Sequence, residues 1–124
     1  MRALLGGALV VHGVAHLVGF VVPWRIVSSG EVPYRTTLLG VDIGQAGVRV
    51  VGLAWLLVSV LFVVVGANVL RYGAWQYEAI PTLVGVSVVL CLLGLPESRP
   101  GLLANAAIAA LLVLGWLLGS YPEM

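Results

Sequence analysis

Four long apolar stretches, separated by short breaks rich in Gly, Pro or charge, organise this chain of 124 residues. They cover about residues 3–22, 44–70, 77–95 and 101–119. Each is longer than a strand, and none alternates with period two, so the pattern argues against a barrel. The first, Ala3–Val22, carries no formal charge and has about the 20 residues that a hydrocarbon layer requires. In lipid, every backbone N–H and C=O needs an internal partner, and continuous helices supply one. The expected fold class is all-α, an integral membrane four-helix bundle forming a single transmembrane domain over residues 1–124.

The breaks carry their own signals. Pro23 ends the first stretch. Asp42-Ile43-Gly44-Gln45 has the D-x-x-Q form of a capping box, with Asp42 accepting from free amides and Gln45 reaching back. Pro100, in the connection Pro96–Gly101, suits the first turn of the last helix. Pro81 falls in the early turns of the third, where it kinks the helix or marks its start. Arg71–Glu78 clusters aromatics of the kind an interface selects.

Residues 23–42 form the one substantial loop. Val22-Pro23-Trp24-Arg25 is echoed by Val32-Pro33-Tyr34-Arg35, with Ser28-Ser29-Gly30 between them as a turn signal. A short hairpin or interfacial flap is expected there. It serves either as lipid contact or as a lid over a site.

Composition sharpens the membrane reading. The chain is 61% hydrophobic and 9% charged, with mean hydropathy +1.13, more apolar surface than a soluble domain of this size can hide. A net charge of +1 offers no basic stripe for nucleic acid. The expected localisation is a cell membrane, crossed several times, with membrane lipids as partners. With four crossings, Arg25, Arg35, Arg49 and Arg99 fall on one side and Arg2 and Arg71 on the other. The positive-inside tendency then places both termini outside the cytoplasm. The N-terminal stretch superficially resembles a secretory signal, but no A-x-A-like site precedes Pro23, and a retained first span is expected. Cys91 is the only cysteine, so no intrachain disulfide forms.

The candidate chemistry starts from His12 and His16, spaced i, i+4 in the middle of the first stretch. Their rings share one helix face, about 6 Å apart. Polar side chains at such depth face protein, water or a ligand. Three uses are open: interhelical hydrogen bonding against Asn105, Ser87 or a backbone carbonyl; a transition metal or haem; or a pocket for a quinone, lipid or proton. A metal held by His12 and His16 needs a third ligand, for which Cys91, Asn105 and Asp42 are candidates. Gly13-Val14-Ala15 between the histidines lacks the glutamate of a zincin. Haem ligation by two histidines would require a second copy of the chain. The expected ligand-binding residues are His12, His16, Asn105 and Arg49. Arg49 is read either as snorkelling to headgroups or as contacting an anion at the mouth of the bundle.

Ser87 and Cys91 share a face, and Gly115 with Gly119 completes a G-x-x-x-G that suggests helix association and a homodimer. No carboxylate lies within a span, which counts against a proton-coupled exporter.

Three segments together resemble a group of small, uncharacterised four-helix integral membrane proteins of bacteria, some of them labelled permeases. They are His12–Phe20, Val48–Trp55 and Gly101–Ile108. The resemblance implies a bacterial inner-membrane location and no established activity. The permease label finds no P-loop here. The plan is also similar to that of DoxX-like proteins, an analogy of fold. Together these readings lead to a binding or accessory membrane subunit, alone or with a membrane-complex partner. A metal- or haem-dependent redox protein is the first alternative and a small homo-oligomeric transporter the second.

Overall fold

The computed structural model describes residues 1–28, 30, 32–71 and 76–120. The fold is all-α apart from one small hairpin. Its elements are α1 (Arg2–His16), α2 (Val18–Val21), β1 (Thr37–Leu38), β2 (Val41–Asp42), α3 (Gly44–Arg71), α4 (Gln76–Leu93) and α5 (Arg99–Leu117). The aromatic connection at 72–75, together with Ser29, Glu31 and Tyr121, lies outside the described residues.

α1 and α2 form one rod, interrupted only at Leu17. The Leu17 N–H reaches back three residues to the Val14 carbonyl (3.1 Å). The carbonyl four residues back, on Gly13, accepts instead from the Ser59 hydroxyl of α3 at 2.6 Å. An interhelical bond thus sits where the helix tightens.

Three helical segments are long and apolar enough to cross a membrane: Arg2–Val21, Gly44–Arg71 and Arg99–Leu117. The third expected crossing is shorter, with an apolar stretch of Glu78–Leu93. It stops there because the chain turns through Gly94, Leu95 and Pro96, and Gly94 N–H closes the last turn onto Leu90 O at 3.0 Å. The helix runs through Pro81. Large apolar side chains face outward on every rod, among them Val11 (69% exposed), Leu57 (60%), Val89 (56%) and Leu103 (74%). Water would penalise that surface heavily, whereas acyl chains do not.

The closest helix pair is α1 with α3. Gly13 lies so near α3 that a Cβ there would meet Phe62 Cβ at 2.8 Å and Ser59 O at 2.9 Å. Gly66, on the facing helix, lies as close to α1: its Cβ would meet Gly6 O at 2.8 Å. Small residues let the two backbones touch, which is how helices associate when no water drives them together.

Helix ends follow the expected chemistry in part. Asp42 Oδ1 accepts from Gly44 N–H (2.9 Å), but among the described residues Gln45 makes no return bond, so the box is half-formed. Pro100 sits in the first turn of α5. Gly119 has φ +61°, with Gly119 N–H bonded to Trp116 O (3.1 Å) and Ser120 N–H to Gly115 O (2.8 Å). That pair of bonds is a Schellman cap, which requires a residue free of the left-handed penalty. Gly119 therefore terminates α5.

The hairpin pairs Thr37 with Asp42 and Leu38 with Val41, antiparallel. Its two-residue turn, Leu39 (φ +49°) and Gly40 (φ +81°), has both residues left-handed, as a tight hairpin of matching twist demands. It lies downstream of the Ser28–Gly30 turn signal. The two echoed motifs meet through their side chains: the Arg25 guanidinium covers the Tyr34 ring at 4.2 Å, and Arg35 pairs with Glu97 in the α4–α5 connection.

The two ends of the molecule differ. Toward the chain termini, Leu5, Leu9, Phe62, Val69 and Ile80 are fully buried and fill a continuous core. Toward the hairpin the rods enclose a cavity instead.

Candidate functional site

His12 and His16 project from the inner face of α1, beside Ser87 of α4 and Asn105 of α5. All four side chains are buried: His12 is 5% exposed, His16 2%, Ser87 0% and Asn105 1%. The helical spacing brings the imidazoles edge to face, with ring centroids 4.4 Å apart at 84°. Phe62 of α3 closes the space beneath them, 5.0 Å from His12 and 5.3 Å from His16 between ring centres. Trp55, two turns earlier on α3, lies 5.0 Å from His16.

One backbone carbonyl determines the proton positions throughout this cluster. His16 Nδ1 lies 2.9 Å from the His12 carbonyl, which only accepts, so Nδ1 carries the proton. In the neutral imidazole only one ring nitrogen carries a proton, so His16 Nε2 is an acceptor. It must receive the Ser87 hydroxyl proton, at 2.7 Å. Ser87 Oγ, having donated, accepts from Asn105 Nδ2 at 2.9 Å. The Asn105 carbonyl oxygen then faces His12 Nε2 at 3.1 Å, so His12 donates from Nε2, with Ser87 Oγ a weaker second acceptor at 3.4 Å. The two histidines hold opposite tautomers. Reversing any one member sets two acceptors or two donors against each other. Asn105 completes its own set with a long contact to Cys91 Sγ, 3.8 Å.

Above the rings lies a cavity of about 390 Å³. Its deep end is lined by His12, His16, Trp55 and Cys91, its flanks by aliphatic side chains of the first rod and α3. Leu38, Leu39 and Gly40 of the hairpin and the Arg35–Glu97 pair lie at the mouth. Ser87 and Asn105 do not line it. They stand behind the imidazoles and orient them.

Of the expected site residues, His12, His16 and Asn105 come together. Arg49 does not join them. Its side chain is exposed on the outer face of α3, its guanidinium 5.5 Å from the Trp24 ring, and its carbonyl accepts from Trp24 Nε1 at 3.0 Å. The arginine at the cavity is Arg35. Among the described residues no three His, Cys, Asp or Glu side chains converge as a metal set would, and Asp42 lies away from the cluster in β2. Trp55, Phe62, Arg35 and Glu97 are site residues that the sequence pattern does not single out. The aromatics are visible only as ring-bearing positions in an aliphatic helix, and the ion pair joins residues 62 positions apart.

Comparison with protein-family models, with curated proteins and with solved structures finds no match to the chain.

Proposed function

We propose that this is a small integral membrane protein that binds an apolar or amphipathic small molecule in its interior, acting as a binding or accessory subunit. The observation that carries this reading is the cavity lined by two oriented imidazoles. Its volume falls in the range of small-molecule sites, about 300–1,000 Å³, and its make-up is theirs: mostly apolar walls with few, convergent polar groups. The buried polar side chains are bonded to one another behind the rings, which fixes how the imidazoles are presented to the cavity.

The packed core argues for binding over transport. Phe62, Leu9, Leu5 and Val69 fill the space between the imidazoles and the far end, so among the described residues no polar route continues past the rings. The resemblance of residues 12–20, 48–55 and 101–108 to small bacterial membrane proteins fits an inner-membrane location. Arg35 lines the cavity, and element order puts Arg25, Arg49 and Arg99 at the same ends of their helices; the positive-inside tendency would turn that mouth to the cytoplasm and the termini outward. A second copy or a membrane-complex partner would find most free surface on α5, which buries the least of the three long helices.

The test is the small-molecule content of the purified protein. Protein extracted from its native membrane should carry an amphiphile near one equivalent by mass spectrometry. Ala15→Phe, which enlarges a side chain in the cavity's lining outside the hydrogen-bonded cluster, should lose it. Equal content in the two proteins would overturn the reading.

A further inference from the structure

We infer that the cavity takes a neutral molecule bearing a hydroxyl or N–H donor, seated with that donor on Nδ1 of His12. The inference rests on the binding reading above and names the class of ligand. Three observations converge on it.

The first is the hydrogen-bond inventory. The chain of donors that begins at the His12 carbonyl satisfies every polar atom of His16, Ser87 and Asn105. It forces the His12 proton onto Nε2 and leaves a lone pair on Nδ1. Among the described residues nothing donates to that nitrogen. His12 is nineteen-twentieths buried, at 5% exposure, yet its ring lines the cavity while the groups holding Nε2 stand behind it. Among the described residues Tyr34 Oη is the only buried side-chain polar atom without a partner, so Nδ1 of His12 is reached from the cavity its ring lines, and its free lone pair is a point of attachment for a ligand donor.

The second is charge. Among the described residues, Arg35 and Glu97 are the only formally charged ones that line the cavity, and they are paired with each other. An anionic or cationic head would enter an apolar space with no free counter-charge, which is strongly disfavoured. The third is shape and surface. Trp55 and the imidazoles line the cavity together with aliphatic side chains, which suits a hydroxylated ring carrying an alkyl tail.

The probes that test this are 4-pentylphenol, its methyl ether 4-pentylanisole, and 4-pentylbenzoate, matched in tail and ring and differing in donor and charge. Binding to the full chain in nanodiscs is measured by equilibrium dialysis, and the cavity's share is taken as the excess over Ala15→Phe. The phenol should bind with one equivalent, the ether about tenfold more weakly, as expected for one unmade buried hydrogen bond, and the benzoate no better than the ether. In His12→Phe, which keeps a ring but has no lone pair, the phenol's advantage over the ether should vanish. Should that variant not fold, the phenol–ether ratio in the unaltered protein decides. An ether that binds as well as the phenol overturns the donor on His12 while leaving a binding cavity in place. A benzoate that binds tightest overturns neutrality in the same way. Binding of none of the three overturns this inference and the binding reading together.

Discussion

At the scale of single residues, the histidines are what their neighbours make them. Two identical side chains, one turn apart, hold opposite tautomers because one is anchored to a backbone carbonyl and the other to an amide oxygen. Asn105 is the keystone. Its carbonyl oxygen and its amide nitrogen serve His12 and Ser87 respectively, and no other residue type supplies both in that geometry. Replacing it with leucine, of similar size, leaves a buried His12 N–H and a Ser87 lone pair unmatched. Asn105→Leu should destabilise the protein by about 1–3 kcal/mol, read as a lowered unfolding midpoint in detergent. An unchanged midpoint would mean the cluster is not sealed from water.

This part of the site was legible in the sequence. A histidine pair at i, i+4 must share a face, and Ser87 and Asn105 are among the few polar side chains within the other apolar runs. For Arg49 the same logic leaves two readings open, snorkelling outward or contacting an anion at the mouth. Its position on α3 is two turns past Asp42, but whether a residue there faces the bundle or its outside depends on how α3 is rotated against its neighbours. Trp24 fixes it outward, and the cavity's arginine comes from the loop.

At the scale of elements, the seam between α1 and α3 sets the site's geometry. Contact of the backbones at Gly13 brings Ser59 to the helix carbonyl and Phe62 under the imidazoles. Gly13→Ala should cost about 1–3 kcal/mol by overpacking, because the new methyl meets main-chain and Cβ atoms that have no free rotamer. Gly7→Ala makes the control: a Cβ there meets nothing within 4 Å, and its effect on the unfolding midpoint should be neutral or slightly favourable. Equal effects of the two would contradict the seam.

Sequence spacing showed the rods but not which faces meet. Gly6 and Gly13 stand seven apart and Gly66 opposes them from 60 residues beyond Gly6, so no local motif marks the seam, whereas Gly119 of the local G-x-x-x-G also ends α5. The hairpin was equally hidden. A Leu-Gly turn lacks the asparagine or aspartate that usually advertises two left-handed residues in succession, and the tertiary setting overrides that preference.

At the scale of the whole molecule, a solid half and a hollow half meet at two rings. The solid half gives the bundle its stability, with large aliphatic side chains and Phe62 excluded from solvent. At the hollow half the hairpin lines the cavity, and Arg35 pairs with Glu97, a partly exposed pair that positions this loop more than it stabilises the fold. Everything proposed for the interior depends on the imidazoles being neutral and held in opposite tautomers by the groups behind them. That state is directly observable. In protein labelled with ¹⁵N at histidine and reconstituted in lipid at neutral pH, the account predicts one ring protonated at Nδ1 and the other at Nε2, the Nδ1–H signal disappearing in His16→Phe. Two rings of the same tautomer, or a doubly protonated ring, would contradict it.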